Sequence, residues 1–203
     1  VSHQNIQYYN AHAKAFFDST INVDMQPLYQ LFLPHVKVGG HILDAGCGSG
    51  RDSKAFAAQG FTVSAMDASE ELVKQASEFL GFAVEHKTFQ QINEQNCYDA
   101  IWCCASLLHV PFTELSDVFS RLSAALKSGG VMYVSFKYGE PNLAPREHNG
   151  RAFTDFNEQA LQTLLAANAQ LKITNTWITG DRRAGRENEQ WFNAILTRVD
   201  LNE

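Results

Sequence analysis

The stretch His41-Ile42-Leu43-Asp44-Ala45-Gly46-Cys47-Gly48-Ser49-Gly50-Arg51-Asp52 constrains this chain more than any other. A short apolar run leads into three glycines at alternate positions, and a helical pattern starts at Arg51. Glycine admits the positive-φ backbone of a sharp strand-to-helix turn and lets a ligand approach with no Cβ in the way. The free N–H groups of the helix start point into the same space and favour an anionic or polar group. The acid Asp44 stands two positions before the first glycine. A diphosphate would be repelled there, whereas an ammonium or sulfonium would be attracted. A second acid, Asp67, ends the next apolar run, 17 residues beyond Gly50. An acid at that place can take two hydrogen bonds from ribose hydroxyls. The combination describes a nucleoside carrying a positive group rather than a dinucleotide.

Around this turn, strand and helix patterns alternate. Apolar spacing predicts helices over Gln4–Asp18 and Asp24–Leu33, the second stopped by Pro34. Strands follow at His41–Ala45, Phe61–Met66, Phe82–His86, Ala100–Cys104 and Val131–Phe136, with helices at Arg51–Gln59, after the Ser69 cap, and after Pro111. The loop after residue 136 reads as irregular. Asp155 and Glu158 form a capping-box pattern for a further helix. Two β-like runs, Leu171–Ile178 and Trp191–Val199, close the chain with no helix between them. The expected fold is therefore α/β: a single Rossmann-like, doubly wound sheet of about seven strands, mostly parallel with an antiparallel last strand, and helices on both faces. Residues 1–35 are expected to form an N-terminal helical cap over the ligand site, and 36–203 one structural unit.

Composition removes several classes. The chain has 203 residues, 45% hydrophobic and 19% charged, which excludes a disordered or low-complexity polymer. A net charge of −6 gives no general attraction to nucleic acid or anionic membrane. The four cysteines, Cys47, Cys97, Cys103 and Cys104, show no CxxC pair, so no metal site is expected from them and a reducing, cytoplasmic setting is the simplest expectation. No signal peptide and no spanning segment are seen, and a monomer or weak homodimer is expected.

The segments LDAGCGSGRD and VSAMDAS resemble motifs I and II of the class I S-adenosylmethionine (SAM) dependent methyltransferases. The run from Cys97 to His109 (CYDAIWCCASLLH) is similar to that family's fourth-strand motif, and Leu126-Lys127-Ser128-Gly129-Gly130 to its turn before the fifth strand, with Ser128 in place of Pro. The resemblance covers about residues 36–199. The wording SLLHVP, SFKYGE and RAFTD also resembles a bacterial branch labelled tellurite-resistance-related. The resemblance implies that Gly46, Gly48 and Gly50, with Ala45 and Cys47, shape the turn beside the methionyl part, and that Asp44 supports the amino-acid end. It implies Asp67 on the ribose, Ala68 against adenine, and Cys104 where the fourth strand meets the methionyl group. Thr88 stands where many members have an acid near the adenine amine; Thr88 and Phe89 are expected at the adenine edge and face. Tyr8 or Tyr9 is expected to reach the SAM carboxylate. The implied activity is methyl transfer to a small-molecule acceptor, with S-adenosylhomocysteine as product.

Methyl transfer from a sulfonium needs alignment more than acid catalysis, but a protonated acceptor needs a base. His109, just past the fourth strand, is the candidate; its alternative is a structural histidine. Six of the eight arginines fall after residue 140. Arg146, Arg151, Arg183 and Arg186 are candidate ligands for an anionic acceptor; alternatively they pair with Glu147, Asp181, Glu187 and Glu189. Nucleic-acid substrates are not expected, since no [DN]-P-P-[YF] run or Pro-Cys pair appears. Two rival functions stand: a non-catalytic SAM-binding sensor or partner subunit, and a nicotinamide oxidoreductase, which Asp44 and the GxGxG spacing disfavour.

Overall fold

In the computed structural model, which describes residues 2–141, 144–181, 183, 185–186 and 188–200, helix α1 (His3–Thr20) opens the chain and bends at His12 (φ −119°, ψ 16°). Then come α2 (Gln26–Phe32), β1 (His41–Ala45), α3 (Arg51–Ala58), β2 (Thr62–Asp67), α4 (Glu70–Leu80), β3 (Glu85–His86) and β4 (Tyr98–Cys103). The second half holds α5 (Leu115–Ala125), β5 (Leu126–Lys137), β6 (Arg146–His148), β7 (Arg151–Phe153), α6 (Glu158–Ala166), β8 (Leu171–Gly180) and β9 (Gln190–Arg198).

Seven strands form one sheet in the order β3-β2-β1-β4-β5-β9-β8. The first five run parallel, and β9 lies antiparallel to both of its neighbours. This is the expected doubly wound sheet. The period-two alternation of a strand explains why both faces need cover. On β4, Ile101 and Cys103 face a core with α5 and α6, where Val118, Phe119, Leu122 and Leu161 are buried. Ala100 and Trp102 face the other side, where α2 and α3 supply Tyr29, Phe32 and Phe56. There the Trp102 and Tyr133 rings stack with centroids 4.0 Å apart, a contact of aromatic faces worth about 1 kcal/mol beyond its area.

Three local expectations are corrected. The third strand pairs only at Glu85 and His86, opposite Met66 and Asp67; Val84 and Phe82 pack beside Ala65 and Ala76 under α4 before pairing begins. The segment after β5 is not simply irregular. It carries a two-stranded hairpin, β6–β7, turned by Asn149 (φ 50°) and Gly150 (φ 74°), a residue pair suited to two successive positive φ values. The Asp155/Glu158 capping box is not formed. Asn157 is the N-cap of α6 and its side chain accepts the Ala160 N–H at 2.9 Å, while Asp155 is turned away to a two-pronged pair with Arg146 at 2.7 and 2.8 Å. Asn157→Ala is therefore expected to cost about 1 kcal/mol in urea unfolding, and Asp155→Ala to leave the α6 cap intact in the same measurement.

Candidate active site

The turn after β1 is anchored on the Met66 carbonyl. Gly46 and Cys47 both donate their N–H to Met66 O, at 2.8 and 2.9 Å. Gly46 (φ 80°) and Gly48 (φ 55°) are in the left-handed region. A Cβ on Gly46 would lie 2.4 Å from Ser106 Cβ, and one on Gly48 2.9 Å from the Phe16 ring. Glycine is thus demanded here by protein packing as well as by backbone conformation. Ser106 in turn donates to Ala45 O at 2.8 Å. Gly50 heads α3 in the same left-handed region.

Asp67 sits on the rim. Its Oδ2 accepts the Gly48 N–H and its Oδ1 the Ser69 N–H, each at 2.9 Å. Burial raises its pKa, opposed by these N–H groups. Each oxygen keeps acceptor capacity for a further donor. Asp44 lies beneath the turn rather than on a cavity wall. It accepts Ser53 Oγ at 2.6 Å, and burial, then the nearby Asp52 charge, push its carboxyl above the ordinary range.

Two cavities meet across this turn. The smaller, about 60 Å³, is lined by Asp67, Ala68, Thr88 and Phe89. The larger, about 520 Å³, carries Cys47, Cys104 and the arginines Arg146, Arg151, Arg183 and Arg186. Tyr9, Phe16, Gly46, Gly48, Ala105 and His109 border both. Tyr8 lines neither; its ring stacks on His12 at 4.2 Å and faces the Arg151 guanidinium at 4.8 Å. Burial pushes the Cys47 thiol up and the Cys104 thiol to about 12, so neither is a thiolate at neutral pH.

His109 is buried and both its ring nitrogens are engaged. Nδ1 lies 3.1 Å from Ala152 O, and Nε2 2.8 Å from the Tyr9 hydroxyl. A carbonyl only accepts, so we assign the proton to Nδ1, facing Ala152 O, which makes the 3.2 Å approach of Asn5 Nδ2 to Nδ1 a contact and not a hydrogen bond, and Nε2 accepts from Tyr9. Asn5 clamps the same loop: it accepts the Ala152 N–H at 2.8 Å and donates to Ala152 O at 3.0 Å. Burial, with help from the Arg151 charge, lowers the His109 pKa to about 4. The imidazole is therefore neutral at pH 7.

The sequence reading missed a charged cluster where the turn enters α3. Asp52, fully enclosed, receives Arg51 through Nε (2.6 Å) and Nη2 (3.0 Å), the Tyr29 hydroxyl (2.5 Å) and the Trp102 Nε1–H (2.8 Å). Burial works against its ionisation, but Arg51 and these donors together hold its pKa below the usual range. The signal was present, since Arg51-Asp52 directly follow the third glycine. Most of the later arginines are paired. Arg146 holds Asp155, Arg183 holds Asp181 at 2.6 and 2.9 Å, and Arg186 lies 3.7 Å from Glu189. Lys137 joins both Asp181 and Glu189. Glu187, also named from the sequence, lies outside the described residues.

Two outcomes are expected. Gly46→Ala strains the backbone and meets Ser106, so it costs about 2 kcal/mol or more in urea unfolding. The folded-state pKa of His109 lies below its unfolded value, so its contribution to stability is full above pH about 6.5 and is lost as pH falls toward about 4. That loss amounts to about 3 kcal/mol, and the stability difference between the protein and His109→Asn, measured by denaturation across this window, should shrink accordingly.

The matching family model is "Methyltransferase domain", over residues 42–130. A curated relative, the ubiquinone biosynthesis O-methyltransferase of Xanthomonas oryzae pv. oryzae, is 30% identical over 187 residues, covering 81% of this chain and 74% of that protein. The protein of the same name from Xanthomonas campestris pv. campestris is 31% identical over 104 residues, 48% of this chain; the matched stretch spans only 43% of that relative's length. Among solved structures, the 1,6-didemethyltoxoflavin-N1-methyltransferase of Burkholderia thailandensis, with bound S-adenosylhomocysteine, superposes with TM-score 0.76 at 20% identity, covering 96% of this chain and 85% of that one. That likeness is one of fold. With the glycine turn, the rim acid and the 3-2-1-4-5 parallel sheet closed by an antiparallel pair, these matches show that the chain belongs to the class I SAM-dependent methyltransferases.

Proposed function

We propose that this protein transfers a methyl group from SAM to a small-molecule acceptor. One observation carries the reading: the cavity beside Asp67 and the larger cavity share a wall made of Gly46, Gly48, Tyr9 and His109. In this reading Asp67 takes the ribose hydroxyls, Ala68, Thr88 and Phe89 surround adenine, and Cys47 and Cys104 flank the methionyl chain. Asp44 supports the turn from below. Residues 1–35 act as a cap, with Tyr9 and Phe16 of α1 closing the shared wall. When bound, SAM supplies an electrophilic methyl on a sulfonium. The chain's part is to exclude water and hold the acceptor in line with that methyl. A space of about 520 Å³ suits a ligand of modest size and fits a metabolite better than a nucleic acid strand. It also weighs against the sensor reading, which needs no second compartment. The tellurite-resistance-related wording supports a branch assignment only and names no acceptor; a cytoplasmic monomer or weak homodimer is part of the same proposal.

His109 cannot touch an acceptor directly, because Nε2 already accepts from Tyr9. We assign it to proton transfer through that hydroxyl. Tyr9 takes the acceptor's proton as its own passes to Nε2, while the acceptor gains the methyl and the sulfonium becomes a neutral thioether. An acceptor that arrives ionised needs none of this.

In calorimetry, SAM and S-adenosylhomocysteine should bind while NAD gives no heat, and Asp67→Ala should weaken S-adenosylhomocysteine about 100-fold through two lost charge-assisted hydrogen bonds. Absence of heat with either adenosyl compound sinks the reading. Screening acceptors with radiolabelled methyl donor then finds the substrate. Tyr9→Phe and His109→Asn should slow kcat for acceptors protonated at assay pH and spare ionised ones; equal loss for both kinds removes the relay.

A further inference from the structure

The cations around the larger cavity differ in one respect. Arg51, Lys137, Arg146, Arg183 and Arg186 each have an acidic partner within 4 Å. Arg151 has none among the described residues. It is only 8% exposed, yet it lines the cavity. Its side chain's single hydrogen bond among the described residues runs from Nη1 to Tyr9 Oη at 3.4 Å, and its Nε is buried with no acceptor there. Three rings surround the guanidinium, with centroids at 4.8 Å (Tyr8), 5.1 Å (Phe153) and 5.9 Å (Tyr9). Rings stabilise a cation without neutralising it. A buried guanidinium with one long hydrogen bond and no counter-charge among the described residues is costly in the free protein. It is held there by the β6–β7 hairpin and by the Asn5–Ala152 clamp on the next residue.

We propose that Arg151 is the oxyanion receptor of the larger cavity and that the methyl acceptor carries a carboxylate or similar oxyanion that docks on it. This rests on the methyltransferase reading and narrows its substrate class. Arg146, Arg183 and Arg186 then serve as paired walls. The placement fits an acceptor: Arg151 reaches the shared wall through Tyr9, so an anion on it leaves the rest of the ligand facing the methyl. The methionyl end of SAM also carries a carboxylate, and the experiment separates the two sources.

Benzoate and inorganic phosphate serve as probe anions, added to the protein saturated with S-adenosylhomocysteine. Calorimetry and thermal unfolding are followed for the natural chain, Arg151→Met and Arg151→Lys. The expected result is that one or both anions bind and raise the unfolding temperature of the natural chain, that Arg151→Met loses this binding at least tenfold, and that Arg151→Lys keeps part of it. The ligand-free Arg151→Met protein should unfold at a temperature no lower than the natural chain, since it sheds an uncompensated cation. S-adenosylhomocysteine affinity should stay within twofold. Two results overturn the proposal: anion binding unchanged or absent in both the natural chain and Arg151→Met, or a tenfold loss of S-adenosylhomocysteine affinity in Arg151→Met with 5′-methylthioadenosine, which lacks the carboxylate, unaffected. The second places the donor's carboxylate on Arg151 instead. If the adenosyl compounds do not bind at all, the methyltransferase reading fails separately, and anion binding to the free protein still tests Arg151.

Discussion

The pairing of β1 with β2 sets everything else at the site. Their parallel register brings Ala45 opposite Met66, so that Met66 O receives two N–H groups from the turn and Asp67, one residue on, receives a third from Gly48. The turn and the rim acid are thereby one hydrogen-bonded unit. A slip of one residue would reverse the faces of β2, turn Asp67 away and free the loop. Packing reinforces the unit from above: Ser106 and Phe16 occupy the places where side chains on Gly46 and Gly48 would stand.

Much of the architecture is legible in the sequence because burial on two faces leaves strong patterns. Val118, Phe119 and Leu122 mark α5 by their spacing, and the run Ala100–Cys103 marks a strand covered on both sides. What the sequence hides is decided by tertiary partners. Asp155 has the right spacing for a cap, but Arg146 competes for it and Asn157 is nearer the helix. The hairpin β6–β7 is too short to show a period. Phe82 and Val84 look like strand residues but are drawn into packing under α4.

At the site itself, residue types were visible and their partnerships were not. The glycines were read as room for a ligand, and the structure adds Ser106 and Phe16 as the atoms that need that room. His109 stood out as a histidine at the right rim, but its low proton affinity comes from burial and the Arg151 charge, and its neighbours Asn5, Tyr9 and Ala152 lie 43 to 104 positions away in the chain. Charge counting found an excess of late arginines. Only geometry separates those neutralised by Asp155, Asp181 and Glu189 from Arg151, which lines the cavity with no acidic partner among the described residues.

The Asn5–Ala152 clamp joins points 147 residues apart. Helix α1 has few buried residues of its own, with Asn5, Ala13 and Thr20 the buried ones, so it gains its place from partners: α4 early in the chain, through Phe17 against Phe79 and Asn10 with Ser69, and β7 much later, through Asn5. During synthesis the later turns of α1 can dock on α4 early, whereas its Asn5 end stays solvated until the β7 segment leaves the ribosome. A nascent chain ending before that segment already carries every residue of the wall that both compartments share, but lacks the Ala152 backbone groups that fix Asn5 and His109 in it.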